Sequence, residues 1–190
     1  TPFRNDGGRI EGETIYNYPL SLAQRDKYYE KIIFAPIVDF NPATADKKIA
    51  EKAIETLKRD LESGYDHILM ARVDERKKAE DIYEQIYKYY SDYSPVFIHS
   101  GISKTLQREI LEGIKEKKHR IIVCVDMLGE GFDLPQLKIC AMHEMHKNIT
   151  TSFQFIGRFT RTTGSNLGPA TIIANIVDNS FKGVLNELYR

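Results

Sequence analysis

A short run of residues between 151 and 162, TSFQFIGRFTRT, carries side chains that could do chemistry. In a helix that turns by about 100° per residue, Gln154, Arg158 and Arg161 fall on one narrow stripe, and the apolar residues among them form a separate face that can pack in a core. Guanidinium groups keep their charge and bind pairs of oxygen atoms through two hydrogen bonds, which suits a polyphosphate. The stripe therefore favours a role in phosphoryl transfer.

The same run allows a second interpretation. Thr151 and Gln154 have the spacing of a capping box, so the glutamine could simply return to the first turn of the helix. Arginines on a surface helix commonly form no more than a solvated face. Gly157 lies on the flank of the stripe, where a missing side chain would let a ligand or another backbone come close. The run by itself leaves both interpretations open.

Length and charge set broad limits on the protein. The 190 residues suffice for one well-buried domain, and a formal net charge of zero means that any anion site must be local. Cys124 and Cys140 lie in apolar runs without a Cys-x-x-Cys pair, which predicts inert core thiols in a reducing compartment. No apolar run approaches the roughly 18 residues of a membrane span, and the first residues lack a signal-peptide pattern. We expect a soluble, cytoplasmic protein with no membrane partner.

The hydrophobic pattern predicts alternating strands and helices. Asn41 followed by Pro42 predicts the start of a helix that ends at Gly64, and Pro36 either interrupts the first strand or places it at a sheet edge. Predicted strands span 32–40, 67–73, 95–99, 120–126, 138–143 and 170–178, and predicted helices span 20–30, 41–64, 75–90, 103–117, 151–161 and 181–189. Strands separated by single helices imply right-handed crossovers. We therefore predict a three-layer α/β domain, with a mostly parallel central sheet and helices on both faces.

The predicted strand ends carry a second group of candidate residues. In a parallel sheet, ligands bind beyond the carboxyl ends of the strands. The segment VDMLGEGFDLP at 125–135 follows one such end. Gly129 and Gly131 permit backbone conformations that other residues avoid, and Asp133 could accept a hydrogen bond from a sugar hydroxyl. As an alternative, the glycines only make the turns of an ordinary loop.

A phosphate-binding loop is missing from the sequence. Such a loop needs the pattern G-x-x-x-x-G-K-[ST], whereas SGISKT at 100–105 has the lysine and the threonine without the required spacing. Arginines suited to a terminal phosphate, in a chain without this loop, imply a partner domain that carries one.

Together the segments resemble the second RecA-like domain of a superfamily 2 helicase. The segment HILMARVDERKKAEDIYE at 67–84 resembles helicase motif IV, VDMLGEGFDLP resembles motif V, and QFIGRFTR matches the motif VI pattern Q-x-x-G-R-x-x-R. The opening TPFR resembles the end of motif III, which closes the first RecA-like domain. The resemblance covers nearly the whole chain and divides it into an arm at 1–30 and a helicase C-terminal RecA-like domain at 31–190.

The resemblance implies roles in ATP hydrolysis. Arg161 would be the arginine finger that reaches the γ-phosphate of ATP, with Arg158 beside it and Gln154 coupling the two RecA-like domains. Gly131 would let its loop approach the nucleotide, and Asp133 would contact the ribose. ATP and Mg²⁺ would be bound mainly by the first RecA-like domain, so the resemblance implies that this chain alone is inactive.

The resemblance also implies a path for nucleic acid. The strand-end residues that would follow the phosphodiester backbone are His99, Ser100, Gly101, Val125 and Asp126. Val125 stands where many relatives have a threonine, Glu130 replaces the arginine of the DEAD-box form, and Thr160 replaces a common glycine. These departures argue against a DEAD-box RNA helicase and favour the DNA-directed restriction, repair or translocase branch, with RNA as the less favoured strand.

Two classes of function therefore remain. One is the motor domain of an ATP-dependent helicase, and the other is a catalytically idle α/β nucleotide-binding or adaptor domain. Retention of Arg158, Arg161 and Asp133 favours the motor domain.

Two further groups of side chains receive structural interpretations. His143, Glu144 and His146 lack a third metal ligand at a convincing spacing, so we predict no metal site and interpret these residues as surface or loop residues. Tyr83, Tyr87 and Tyr90 recur at helical spacing, which favours packing over stacking on bases.

Overall fold

The centre of the fold is a sheet of parallel strands. The computed structural model describes residues 25–26, 31–125, 134–144, 155–160 and 167–177. Within these ranges the strands are β1 (Ile32–Ile37), β2 (Ile68–Val73), β3 (Val96–Ile98), β4 (Ile121–Val125), β5 (Leu137–Met142) and β6 (Ala170–Asn175). They lie in the order β1-β6-β5-β2-β4-β3, and every neighbouring pair is parallel. The predicted parallel sheet is confirmed.

Three helices connect the strands in the described ranges: α1 (Pro42–Glu62), α2 (Arg76–Gln85) and α3 (Lys104–Lys115). The side chain of Asn41 accepts a hydrogen bond from the amide of Ala43 at 3.0 Å, which caps α1, and Gly64 follows the helix with a φ of +86° that favours glycine. Both predicted ends of α1 are therefore confirmed.

The helix predicted at 75–90 was wrong in its length. Helix α2 ends at Gln85, and two short 3₁₀ turns follow it at Tyr87–Tyr89 and Ser91–Tyr93. The side chain of Tyr87 is completely buried against the sheet. We infer that burial of the Tyr87 ring against the sheet ends the helix at Gln85, because a straight helix would not place the ring there.

The helices cover both faces of the sheet. Strand β2 shows the division, because Ile68 and Met70 belong to one apolar cluster, whereas Leu69 and Ala71 belong to another. We call the side of Ile68 the first face and the side of Leu69 the second face. Apolar residues of α3 and of segment 155–160 pack on the first face, and those of α1 and α2 pack on the second. The predicted three-layer arrangement is confirmed.

Strand β1 forms one edge of the sheet, which is one of the two outcomes that Pro36 predicted. Proline has no amide hydrogen to donate, and an edge strand has one side on which no donor is needed. Pro36 lies opposite Ala174 of β6, and the strand ends at Ile37, three residues earlier than predicted.

Strand β5 contains a bulge at Lys138. Ile68 pairs with Leu137 and the next residue, Leu69, pairs with Ile139, so Lys138 is an extra residue on the β5 side. Bulges re-aim side chains, and here Leu137 belongs to the first-face cluster while Ile139 belongs to the second-face cluster. Lys138 is fully buried, and its Nζ donates to the carbonyl oxygen of Phe159 on the first face at 3.0 Å.

Both cysteines lie in the core as free thiols, as predicted. Burial raises the pKa of the Cys140 thiol well above its usual value, which keeps the thiol protonated and unreactive.

Two predicted elements lie at the ends of the chain. The helix at 181–189 and most of the arm at 1–30 lie outside the described residues, so the domain boundary at residue 30 stays a prediction. Among the residues that are described, no helix has the length and apolar character needed to cross a bilayer.

Candidate functional site

The segment at 155–160 carries Arg158 and is held on the sheet by buried apolar side chains. Phe155, Ile156 and Phe159 are buried on the first face, whereas Gly157 and Arg158 are only half-buried. A Cβ atom added at Gly157 would meet no described heavy atom within 4 Å. Among the described residues nothing fills the space beside the glycine, and the approach of a ligand or another backbone to this flank stays a prediction.

The backbone of this segment tightens towards its end. The amide of Arg158 donates to the carbonyl of Phe155 at 3.1 Å, and the amide of Phe159 donates to that of Ile156 at 3.0 Å. The hydroxyl of Thr160, which is buried, donates to the carbonyl of Gly157 at 2.8 Å. Thr160 thus satisfies a carbonyl near the end of the turn, which gives a structural role to the residue that replaces the common family glycine.

A buried arginine from β2 lies under the start of this segment. The guanidinium carbon of Arg72 is 5.4 Å from the centroid of the Phe155 ring, a cation–π contact. The same group donates to the backbone oxygen of Glu144 at 2.8 Å and to the carboxylate of Asp74 at 2.6 Å. Arg72 therefore joins the carboxyl ends of β2 and β5 to the arginine-bearing segment.

The side chain of Glu144 completes this junction. One carboxylate oxygen accepts from the amide of Asp74 at 2.8 Å, and the other accepts from Nζ of Lys78 on α2 at 3.1 Å. Lys78 also lies 3.6 Å from the carboxylate of Asp46 on α1. The strand ends and the two second-face helices are thus linked through charged groups.

His143 is a buried member of the same network, so its interpretation as a surface or loop residue was wrong. Its side chain is 0% exposed, with Nδ1 2.8 Å from the Asp46 carboxylate and Nε2 2.9 Å from the hydroxyl of Tyr87. Burial tends to raise the pKa of Asp46, but the hydrogen bond from His143, together with Lys78, brings it below its usual value. The contacts hold α1, β5 and the turn after α2 together.

No metal site is found within the described ranges. No group of three or more histidine, cysteine or acidic side chains is arranged to hold an ion there. His146 lies outside those ranges. The bond of His143 to Asp46 gives His143 a structural role.

A cleft of about 300 Å³ opens beside this network. It lies at the carboxyl ends of β1, β6 and β5, where Asp39, Asp46, Lys78, His143, Glu144 and Asn175 contribute polar groups to its lining. The side-chain amide of Asn175 holds the backbone of Asp39 there: its Oδ1 accepts from the Asp39 amide at 3.2 Å, and its Nδ2 donates to the Asp39 carbonyl oxygen at 2.7 Å. The polar groups of the cleft therefore hold strand ends and helices together.

The end of β3 carries three of the predicted nucleic-acid contacts. His99 is buried and its Nδ1 accepts a hydrogen bond from the amide of Gly101 at 3.0 Å, while Ser100 is exposed. Burial and the nearby guanidinium of Arg76 lower the pKa of His99. A Cβ atom on Gly101 would lie only 3.0 Å from the His99 ring and 3.1 Å from Arg76. A side chain at this position would therefore require the His99 ring and the Arg76 guanidinium to shift by a few tenths of an ångström.

The structure describes only part of the predicted site. Arg158, His99, Ser100, Gly101 and Val125 are described, and Val125 is the half-buried last residue of β4. The predicted site residues outside the described ranges are Gln154, Arg161, Gly131, Asp133 and Asp126. Their roles stay predictions.

The sequence pattern placed Arg72 at a strand end and Lys138 at the start of a strand, and it indicated a role for neither side chain. Each is a charged residue inside an apolar run, ILMARV for Arg72 and LKICAM for Lys138. A fully buried charge needs a partner, so a charge inside such a run was the available signal.

The fold and the site together define a class of protein. An all-parallel sheet covered on both faces, with an arginine segment anchored on one face, agrees with the second RecA-like domain of a superfamily 2 helicase, which the sequence resembles. Residues 47–163 match the family described as the helicase conserved C-terminal domain. The match covers more than half of the chain, and the chain belongs to this family.

Individual relatives extend the comparison. The chain is 27% identical over 131 residues to UvrABC system protein B of Chlamydia abortus, covering 66% of this chain and 19% of that protein. It is 29% identical over 99 residues to the probable ATP-dependent RNA helicase DDX59 of Rattus norvegicus, covering 52% of this chain and 17% of that protein.

A solved structure shows the same fold. The DUF1998 helicase MrfA, crystallised with DNA, superposes with a TM-score of 0.60 at 23% identity, covering 83% of this chain and 21% of that one. The chain spans about a fifth of the length of the relatives compared here.

Proposed function

We propose that this chain is the second motor domain of an ATP-dependent helicase or translocase that acts on DNA. One observation carries the proposal: buried apolar side chains anchor segment 155–160 on the sheet, and Arg158 projects from this anchor as a half-buried side chain beside a glycine whose missing Cβ would meet no described atom within 4 Å. This is the arrangement expected of a domain that supplies an arginine to a nucleotide held elsewhere.

In this proposal the residues of this chain add contacts to a nucleotide that is bound mainly by another domain. Arg158 and Arg161 would neutralise phosphate charge, Gln154 would couple the two domains, and Asp133, approached through Gly131, would contact the ribose. ATP with Mg²⁺ would supply the phosphoryl group and would be held mainly by the first RecA-like domain. The contribution of this chain is to place donors where negative charge develops.

We propose that the nucleic acid bound by this domain is DNA. The solved structure of MrfA was obtained with DNA, and the departures from the DEAD-box pattern at Val125, Glu130 and Thr160 point the same way. The exposed Ser100 at the end of β3 and the half-buried Val125 at the end of β4 would lie along the backbone of the strand. The protein would act in the cytoplasm, in restriction, repair or translocation.

The test uses a protein that contains both this chain and the ATP-binding domain. Arg161→Ala should lower kcat for ATP by roughly 10³-fold to 10⁵-fold, the range seen for arginine fingers, and Arg161→Lys should not restore it fully. Arg158→Ala should also lower kcat. Arg59→Ala, which removes an arginine that is 61% exposed on α1, serves as the control and should leave kcat unchanged.

Three outcomes would change the proposal. A folded two-domain protein without ATPase activity would favour the idle adaptor domain. Normal ATPase activity in both Arg158→Ala and Arg161→Ala would remove the motif VI assignment. Stimulation of the ATPase by single-stranded RNA but not by DNA of the same sequence would move the protein to the RNA-directed class.

A further inference from the structure

The segment that carries Arg158 is fastened to the sheet at both ends by buried cations. At its start, the Arg72 guanidinium lies against the ring of Phe155, with 5.4 Å from the guanidinium carbon to the ring centroid. At its end, Nζ of Lys138 donates to the carbonyl oxygen of Phe159 at 3.0 Å. Arg158 lies between the two fastened residues.

The Arg72 end is fixed in orientation. The residue is only 3% exposed, and its guanidinium donates to the backbone oxygen of Glu144 at 2.8 Å and to Asp74 at 2.6 Å. Because a guanidinium is planar and its donors point in fixed directions, two such bonds set the plane of the group. The ring of Phe155 thus packs against a surface that cannot turn freely.

The Lys138 end depends on the bulge in β5. The extra residue re-aims the lysine to the first face, where Phe159 packs, and places its ammonium at a backbone carbonyl near the end of a helical turn. Cations at such carbonyls are favourable because the carbonyl dipoles point outward there. A bulge next to a functional segment fits the usual reason for bulges, which is to redirect a side chain.

We propose that Arg72 and Lys138 are positioning residues that set the place and direction of the Arg158 segment for phosphoryl transfer. The proposal rests on the proposed function. Phe155, Ile156 and Phe159 bury enough apolar surface to hold the segment on the sheet, but apolar contact is not directional. Hydrogen bonds are directional, and burying two cations costs free energy that packing alone would not require. Their effect is to fix the arginine, where a misplacement of about 1 Å can cost roughly 100-fold in rate.

Steady-state kinetics of the two-domain protein test this effect. Lys138→Met keeps the length of the side chain and removes its charge and its hydrogen bond. We expect kcat for ATP to fall by about 10-fold to 100-fold, with KM changed much less, because the ground-state contacts of the nucleotide lie mainly on the other domain. In an Arg158→Ala background, Lys138→Met should produce little further loss, since residues that act through one another are not additive.

Amide exchange in the 190-residue chain gives a readout that needs no nucleotide. Lys138→Met should accelerate exchange of the Arg158 and Phe159 amides by about 10-fold, while amides in the middle of β2 stay protected. The matched control is Thr56→Val, which removes one buried side-chain hydrogen bond, 2.8 Å from the hydroxyl to the Lys52 carbonyl, on the opposite face. It should change neither exchange in the segment nor kcat.

The outcomes separate this proposal from the proposed function. If the wild-type protein hydrolyses ATP and Arg158→Ala is impaired, but Lys138→Met is folded and fully active with unchanged exchange, the positioning role is refuted and the motor function stands. Arg72→Met provides a second measurement and should show the same kinetic pattern. Equal and independent losses in Lys138→Met and Arg158→Ala, additive in the double variant, would also overturn the positioning role.

Discussion

The hydroxyl of Tyr87 lies 2.9 Å from Nε2 of His143, and this pair joins the turn after α2 to the end of β5. The carboxylate of Asp46 can only accept, so Nδ1 of the imidazole carries the hydrogen in their 2.8 Å bond. In a neutral imidazole Nε2 is then the acceptor, and the tyrosine donates. Burial raises the pKa of Tyr87 well above its usual value, so the phenol remains a donor at every physiological pH.

Removing the hydroxyl should therefore destabilise the chain. Tyr87→Phe leaves the buried Nε2 without its donor, and we expect a loss of about 1–3 kcal/mol in the free energy of unfolding, measured by urea denaturation. In a His143→Leu background the sign should reverse or the effect should vanish, because there the hydroxyl itself is the unpaired group. Equal losses in both backgrounds would show that the pair does not interact.

Gly157→Ala should separate folding from activity. A Cβ atom at this position meets no described heavy atom within 4 Å, so the chain should keep its stability or gain about 0.5–1 kcal/mol from the reduced freedom of the unfolded state. In the two-domain protein the same methyl group would stand on the open flank of Arg158, and we expect lower ATPase activity. Thermal denaturation and steady-state kinetics of the same variant measure the two effects. Unchanged kinetics would mean that nothing approaches this flank.

Asp39 should make stability depend on pH in acid. Hydrogen bonds from the Thr44 hydroxyl and the Asn41 amide, together with Lys48, lower its pKa to about 2, from an ordinary value of 3.8. A lowered pKa means that the stabilisation is complete above the ordinary value and disappears as the pH falls through the lowered one. Asp39→Asn should therefore be less stable than the wild type near pH 7, with the difference in urea midpoint shrinking between about pH 4 and pH 2. A constant difference across that range would contradict the assignment.

The isolated chain should not hydrolyse ATP, because its sequence lacks a phosphate-binding loop. Release of inorganic phosphate by the purified chain, measured colorimetrically, should equal the buffer blank. Activity that disappears in Arg161→Ala would show that the chain contains a complete site and would contradict the two-domain account.

Strand binding by the isolated chain should be weak and sensitive to salt. The net charge is zero, so only local groups such as those at the end of β3 can contact phosphates. Fluorescence anisotropy with a labelled single strand should show affinity falling steeply as salt is raised. Tight binding that persists in high salt would indicate a site that reads bases.

Local signals predicted most of the architecture. Asn41 with Pro42 and Gly64 predicted both ends of α1, because each acts on the backbone at its own position. Pro36 limited β1 to an edge strand or an interrupted one, and the structure has the edge strand. The end of α2 could not be predicted in this way. It depends on where the ring of Tyr87 fits against the sheet, which is a matter of tertiary packing.

Site residues that belong to a sequence motif could be predicted. Residues that meet only when distant parts of the chain fold together could not. Arg158 and Gly157 were found from a pattern of spacing. Lys138 reaches Phe159 only because the pairing of β5 with β2 shifts by one residue, and that register is set between strands far apart in the sequence. His143 meets Asp46 across 97 residues, so no local pattern could show that it is buried.

The pairing of β1 with β6 has a consequence for synthesis of the protein. Ile32 lies beside Ala170, so among the described strands of this sheet β1, which is synthesised first, pairs with β6, which is synthesised last. Until β6 emerges, β1 has no neighbour and β5, with its apolar sequence LKICAM, is an open edge. Open apolar edges pair readily with other chains. The nascent chain therefore passes through a period in which it is prone to aggregate, and this period should lengthen when translation slows between β5 and β6.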